Sequence, residues 1–198
     1  MEPLGFESVR YVTPEEFRGF VEERERAGDV NGYELLNGRV VMNPPAGWPH
    51  GAVGSTIQWL LNDRVRRNNL GLVFDSSQGF HLPSGDVVEP DHSFVSNERL
   101  RALTPKAGEF LQVVPDLVAE VLSGSNAGRD RGEKKGIYER NGVREYWLVD
   151  PRARTLIAFA LASGRYGPAD PLTEDNRYRS PVLGLEFEVK TLFPELPR

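Results

Sequence analysis

The sequence predicts a single α/β domain over residues 1–198, with helices covering a central sheet. Three patterns indicate this class. Residues 116–123 form a strand pattern that is apolar on both faces, as in the central strand of a covered sheet. A helical pattern at 130–141 and a strand pattern at 144–149 follow it, so the centre of the chain is strand–helix–strand. A helix and a hairpin precede this unit.

The N-terminal elements have clear local signals. Thr13 is expected to cap a helix, with Pro14 at its first position and Glu16 closing a capping box. The stretch YELLNGRVVM at 33–42 predicts a β-hairpin with Asn37-Gly38 as its two-residue turn. A longer helix is predicted from about residue 50, because apolar residues recur there at helical spacing. These residues are Val53, Ile57, Leu60, Leu61 and Val65.

The rest of the chain alternates strands, turns and helices. Asp130 is expected to cap the helix that Gly142 ends, with Glu133 at the capping-box position. The turn after the central strand is expected to contain Ser123, Ser125 and Asn126. Further strand patterns occupy 71–82, 92–95, 155–161 and 185–189, and a short helical pattern occupies 97–103.

Composition limits the class of protein. The chain has 198 residues, enough for one domain with a full core. It contains no Cys, which excludes disulfides and thiolate metal ligands. Its start lacks the basic-then-apolar pattern of a signal peptide, and its longest apolar run, 156–162, is too short to span a bilayer. We therefore expect a cytoplasmic protein with no membrane partner.

The charge balance argues against a protein that coats nucleic acid nonspecifically. Lys and Arg total 24 against 29 Asp and Glu, a net charge of −5, whereas phosphate contacts need a basic face. Local basic groups could still contact DNA, although all three are also explained as solvated surface, the interpretation we favour for the first two. The groups are Arg64 with Arg66 and Arg67, Arg99 with Arg101 and Lys106, and Arg129 with Arg131, Lys134 and Lys135.

Glu120 is the anomaly of the central strand. It lies in the middle of the most apolar strand pattern of the chain. A buried carboxylate without a partner costs several kcal/mol, so Glu120 needs a cation or a proton. Two interpretations remain open at this point: an ion pair with a buried Lys or Arg, and a ligand to a metal ion.

Asp91 favours the metal. It follows Pro90 at the start of a predicted strand, and it can converge with Glu120 if the two strands are neighbours. Two close carboxylates repel each other, and a divalent cation relieves that repulsion. Hard oxygen ligands favour Mg²⁺ or Mn²⁺ over zinc. A simple turn role for Asp91 is the alternative.

A basic residue completes the pattern. Position 122 shares a strand face with Glu120, but it is occupied by Leu122. In the next helix, Lys134 lies three and four residues before Ile137 and Tyr138, and so shares their inward face. Lys134 is therefore the candidate to reach Glu120, unless it is solvated with its stem packed on Tyr138. Paired carboxylates, a divalent metal and a Lys form a phosphodiesterase constellation.

Five stretches in this order resemble the Uma-type restriction endonuclease family of the PD-(D/E)XK nuclease superfamily. They are YELLNGRVV, EPDHSFV, PDLVAEVLSGS, the spacing D-x-x-x-K-x-x-x-Y at 130–138, and GVREYWLVDP. The resemblance covers about residues 13–190. It implies the restriction-endonuclease-like fold, in which helices flank a central mixed sheet.

The resemblance also assigns site residues. It implies Asp91 and Glu120 as metal ligands, and Lys134 as a catalytic Lys displaced from the usual Glu-x-Lys position. It further implies Glu34 as an additional ligand or a partner of a metal-bound water, and His50 as a residue that shapes the site from the second helix.

The leading functional hypothesis is a Mg²⁺- or Mn²⁺-dependent endonuclease acting on DNA. The alternatives are a non-catalytic nucleic-acid-binding or assembly module on the same fold, and a phosphodiesterase with a small substrate. A contiguous basic rim around the site would favour DNA, and a closed narrow pocket would favour a small substrate. Cleavage of both DNA strands would suit a homodimer.

Overall fold

The computed structural model describes residues 7–8, 10–124 and 127–195. Its helices are α1 (Pro14–Arg26), α2 (His50–Arg67), α3 (Asn97–Leu100), α4 (Ala127–Arg129) and α5 (Lys135–Asn141). A π-helical turn, Asp130–Lys134, joins α4 to α5, and a 3₁₀ helix spans Val189–Leu192. The strands are β1 (Gly32–Leu36), β2 (Arg39–Asn43), β3 (Gly71–Asp75), β4 (Phe80–His81), β5 (Val87–Val88), β6 (His92–Ser96), β7 (Leu117–Val121), β8 (Glu145–Asp150), β9 (Thr155–Ala162), β10 (Arg165–Tyr166), β11 (Arg177–Arg179) and β12 (Glu186–Glu188).

The central sheet has six strands in the order β10-β9-β8-β7-β6-β3. β7 and β8 run parallel and the other neighbours run antiparallel, so the sheet is mixed. One face of β7 packs with residues of α2, and the opposite face packs with residues of α5. This arrangement confirms the predicted α/β class and the position of residues 116–123 at the centre of a covered sheet.

The N-terminal helix and hairpin form as predicted. The side chain of Thr13 accepts the Glu16 N–H at 3.3 Å, and the Glu16 carboxylate accepts the Thr13 N–H at 2.9 Å, which completes the capping box of α1. In the hairpin turn, Asn37 and Gly38 adopt φ values of 49° and 76°, the left-handed region that Asn-Gly turns supply. The hairpin belongs to a second sheet of order β2-β1-β5-β4.

The predicted cap at Asp130 is wrong. The helical segment begins earlier, at Ala127, and Asp130 lies inside the π-helical turn with a buried carboxylate. Glu133 accepts the side-chain N–H of Asn37 at 2.5 Å and pairs with Arg39 at 3.1 Å, so it holds the hairpin rather than a helix cap. The Asp130 carboxylate lies instead 3.9 Å from the Nζ of Lys134, which follows it in the same helical segment. Ser125 and Asn126, predicted as turn residues, lie outside the described residues.

Strand register fixes where the predicted site residues meet. His92, the first residue of β6, pairs with Ala119, which places Asp91, the residue just before β6, beside Glu120 on β7. β7 and β8 both end at this edge of the sheet, and α2 begins beside it. Within the described ranges, no helix is long and apolar enough to cross a membrane.

A second buried carboxylate fastens the C-terminal segment to the sheet. Glu145 on β8 is fully buried. Its oxygens accept four hydrogen bonds, from Trp147 Nε1 (2.6 Å), Tyr178 Oη (2.8 Å), Ser180 Oγ (2.5 Å) and the Val182 N–H (3.1 Å). Donors from neighbouring chain segments therefore satisfy this charge in the core.

Glu145→Gln is expected to destabilise the fold by about 3 kcal/mol, because the amide turns an N–H₂ group towards donors that need an acceptor. Glu186→Gln is the matched control, since Glu186 is exposed on β12; its effect should stay within about 0.5 kcal/mol. Chemical denaturation measures both. Equal losses would contradict the anchoring role of Glu145.

Candidate active site

A cavity of about 520 Å³ lies where the two sheets, α2 and the π-helical turn come together. Six ionisable side chains are among the described residues that line the cavity, and we call the part of the cavity that they form its floor. These are His50, Glu89, Asp91, Glu120, Asp130 and Lys134. Glu34 lies behind the floor, in contact with Lys134. All five residues predicted from the sequence thus meet in one place.

Lys134 is the centre of this group. Its Nζ lies 2.6 Å from Glu120 Oε1, 3.1 Å from Glu34 Oε1 and 3.9 Å from Asp130 Oδ1, and the residue is 3% exposed. Burial acts to lower the pKa of Lys134, but Glu120, Glu34 and Asp130 together raise it well above its usual value. The ammonium therefore stays charged. The helical phase predicted this inward position, and the solvated alternative for Lys134 is wrong.

Glu120 is held by two donors besides the ammonium. Tyr138 Oη donates to Glu120 Oε1 at 2.7 Å, and the Asp91 backbone N–H approaches Oε2 at 3.4 Å. Burial raises the pKa of Glu120 well above its usual value, and the neighbouring carboxylates add to the rise against the opposing effect of Lys134. The ion pair required by one interpretation of Glu120 is present. The second carboxylate required by the other interpretation is also adjacent.

Asp91 is oriented from two sides. Its Oδ2 accepts the Val121 N–H at 2.8 Å and lies 3.1 Å from His50 Nε2, at the first residue of α2. Burial acts to raise the pKa of Asp91, but the His50 hydrogen bond helps to lower it below its usual value. The same bond raises the pKa of His50. Asp91 is therefore not a simple turn residue, because its carboxylate links His50 of α2 to the backbone of β7.

Glu34 reaches the site from the hairpin. Its carboxylate accepts the Glu89 N–H at 2.9 Å and the side-chain N–H of Asn43 at 2.9 Å, in addition to its ion pair with Lys134. Burial raises the pKa of Glu89 to about 7, and the charge of Glu34 contributes. Glu34 therefore forms an ion pair with Lys134 and also accepts a hydrogen bond from the backbone just before Pro90 and Asp91.

The site holds more acidic than basic groups. Within the described residues, five carboxyl groups (Glu34, Glu89, Asp91, Glu120 and Asp130) surround the side chains of Lys134 and His50. Burial is the main reason that the pKa of Asp130 rises to about 6. Such crowding of carboxyl groups is relieved by a divalent cation.

The carboxylates at the cavity wall do not form a closed metal cage, but they are ligands of the kind that a hard divalent cation accepts. In the described ranges, no group of three or more His, Asp or Glu side chains is arranged to enclose a metal ion. Asp91 and Glu120 supply hard carboxylate oxygens at the cavity wall. Mg²⁺ is commonly bound through one or two carboxylates together with water and substrate phosphate, so two ligands are sufficient for that mode.

The rim of the cavity is neutral. Among the described residues that line it, those above the floor come from segments 30–32, 43–46, 51 and 76–77 and carry no charge. The contiguous basic rim that would favour DNA is therefore not present at the cavity mouth. Nearby, Arg131 pairs with Asp150 at 2.9 Å, whereas the guanidinium of Arg152 lies beside Gly124, just past β7.

The predicted basic groups are largely engaged within the protein. Arg67 pairs with Asp63, Arg99 pairs with Asp116, and Lys134 is buried. Lys135 lies with its Nζ 4.6 Å from the centroid of the Phe159 ring. These groups leave little free positive charge for phosphate contacts.

Three members of the site were missed by sequence reasoning: Glu89, Asp130 and Tyr138. Glu89 is separated from Asp91 only by Pro90, so its proximity in sequence was the available signal. Asp130 and Tyr138 lie four residues to either side of Lys134, a spacing that places all three on one helical face. The spacing is recognised in the sequence, but Asp130 is interpreted there as a helix cap and Tyr138 as an apolar-face residue, so neither is assigned to the site.

Comparison with solved structures identifies the class of fold. A crystal structure titled as a "putative nuclease belonging to DUF820" from Anabaena variabilis matches with a TM-score of 0.74 and 19% sequence identity, covering 92% of this chain and 97% of that one. This similarity confirms the restriction-endonuclease-like fold. No curated protein sequence matches the chain.

The family follows from the sequence match. The model of the Uma2 family, described as "Putative restriction endonuclease", matches residues 21–191. The chain belongs to this family, which confirms the resemblance seen in the five ordered stretches. The description of the family supports a nuclease function.

Lys134→Met is expected to lower the free energy of unfolding by about 3–5 kcal/mol, because it leaves buried carboxylates without their cation. Lys135→Met is the matched control, and losing its contact with Phe159 should cost no more than about 1 kcal/mol. Urea denaturation in chelator compares the two. Similar losses in both variants would show that the buried ammonium does not organise the site.

Proposed function

We propose that the protein is a metal-dependent endonuclease that hydrolyses DNA phosphodiester bonds, with Mg²⁺ or Mn²⁺ held by Asp91 and Glu120. The observation that carries this proposal is the 2.6 Å contact between Lys134 Nζ and Glu120, in the cavity that Asp91 also lines. That contact unites the carboxylate pair with a basic residue, the combination that phosphodiester hydrolysis uses. Membership of the Uma2 family supports the same chemistry.

Contacts within the protein orient both of the proposed ligands. The Val121 N–H and His50 orient Asp91, and the Tyr138 hydroxyl orients Glu120. A bound divalent cation supplies Lewis-acid stabilisation of phosphate charge and makes a nearby water easier to deprotonate. His50 is thus a positioning residue that fixes Asp91 from the start of α2.

Lys134 is the proposed catalytic lysine, and it acts as an ammonium rather than as a base. It lines the cavity and keeps its positive charge, so it can hydrogen-bond the attacking water and stabilise negative charge on the phosphate. Glu34 positions the Lys134 ammonium at 3.1 Å. The helix supplies this Lys because position 122 is occupied by a Leu that packs in the core cluster of Ile137.

Two observations favour other functions on the same fold. The Lys134 ammonium already pairs with Glu120 and requires no divalent metal to do so, as expected for a non-catalytic nucleic-acid-binding or assembly module. The neutral rim suits a small phosphodiester as well as DNA. Assays of metal binding and plasmid cleavage distinguish these two possibilities from the endonuclease. Cleavage of both DNA strands would require two active sites, as in a homodimer.

Mn²⁺ is expected to bind one site that either Asp91→Ala or Glu120→Ala removes, because each substitution deletes a carboxylate ligand. Isothermal titration calorimetry measures the binding. Wild type should also gain about 2.7 kcal/mol of stability at a metal concentration about 100 times the dissociation constant. Glu98→Ala removes an exposed carboxylate on α3 and should leave binding unchanged. Unchanged binding in both site variants would rule out this metal site.

Lys134→Met should slow Mg²⁺-dependent nicking of supercoiled plasmid by about a hundredfold, as expected for a lost charge-stabilising group. Lys135→Met should remain near wild type, because Lys135 packs on Phe159 away from the cavity floor. Both variants are assayed at a temperature where denaturation shows them folded. Equal rates would contradict the role of Lys134, and an inactive wild type with either metal would favour the binding module.

A further inference from the structure

The rim of the cavity combines neutrality with exposed apolar surface. Val30, which lines the cavity, is 88% exposed. Trp48, between the lining residues Ala46 and His50, is 67% exposed. Val30 is thus an exposed hydrophobic side chain of the cavity lining, and Trp48 is carried by a short segment whose two ends, Ala46 and His50, line the same cavity.

The segment that carries Trp48 is stiff. Pro44, Pro45 and Pro49 fix three φ angles within six residues, and α2 begins immediately afterwards at His50. An aromatic side chain on a stiff segment loses little conformational entropy when a ligand binds. An exposed indole in this setting is suited to contact a flat, neutral group at the cavity mouth.

We propose that Trp48 stacks on a base of an unpaired DNA strand and so positions that strand at the cavity. This inference rests on the proposed nuclease function and names its substrate form. Stacking on an aromatic side chain tolerates any base, because every base has a π-face. The stacking contact itself involves no ion pair, so it can form beside the neutral segments that surround the floor.

The charge distribution favours an unpaired strand over a duplex. A duplex covers its base faces and is held mainly through phosphates by rows of Lys and Arg. At this edge of the sheet Arg131 and Arg154 are in ion pairs with Asp150 and Glu174, and the guanidinium of Arg152 beside Gly124 is a single charge rather than a row. An unpaired strand exposes the base faces that Trp48 can contact.

The test measures the affinity of labelled oligo(dT) by fluorescence anisotropy in chelator, so that no cleavage occurs. Trp48→Ala should weaken binding of the single strand by about tenfold, within the range of one lost base stack. Trp48→Phe should restore most of the affinity. The same substitution to Ala should change binding of a duplex less than about twofold, since the duplex offers no free base face.

Trp59→Ala is the matched control, because Trp59 is 63% exposed but lies further along α2, beyond its lining residues His50 and Gly51, whereas Trp48 lies between the lining residues Ala46 and His50. Equal losses for Trp48→Ala and Trp59→Ala, an equal loss for duplex and single strand, or no binding of oligo(dT) would overturn the proposal. Plasmid nicking with unaltered oligo(dT) binding in Trp48→Ala would overturn it while leaving the nuclease intact. Trp48-dependent binding without nicking would support it and remove the proposed catalysis.

Discussion

The buried ammonium of Lys134 is the interaction on which the site depends. It joins three parts of the chain, since its carboxylate partners come from the hairpin (Glu34), the central strand (Glu120) and the π-helical turn (Asp130). An isolated ammonium at 3% exposure would lose its proton, and the carboxylates alone would repel each other. Their mutual attraction therefore fixes the hairpin against the sheet and forms the cavity at the junction. Removing any member disturbs both the packing and the chemistry.

The origin of this Lys explains how the central strand stays apolar. With Leu at position 122, β7 continues into the cluster formed with Ile137 and Tyr138, and the positive charge arrives from the helix instead. The π-helical turn places Asp130 and Lys134 together on the buried face of that helix. A widened turn of this kind commonly marks a functional site. Here it carries two charged side chains into the interior, where Tyr138 then adds a hydroxyl to the same carboxylate.

The sequence predicts the elements well because their signals are local. The capping box at Thr13, the Asn-Gly turn and the apolar periodicity of α2 each involve residues close in the chain. Glu120 is visible because a charge interrupts an otherwise apolar strand. Asp130 misleads because Asp suits a helix cap and a buried ion pair equally, and only the tertiary contact decides between them. The role of Glu89 depends on how the hairpin docks on the main sheet, and that packing leaves no periodic mark in the sequence.

Acidity at the floor and neutrality at the rim separate two tasks within one cavity. The crowded carboxyl groups oppose the approach of a phosphate until a divalent cation offsets their charge, so the floor alone cannot supply affinity for DNA. With Lys134 committed to Glu120 and Glu34, little positive charge remains to attract the substrate. Under the proposed function, affinity would come from neutral contacts around the mouth, and catalysis from the charged groups below. If the two tasks are separate in this way, substitutions at the rim should change which nucleic acid binds, and substitutions at the floor should change the rate of phosphodiester hydrolysis.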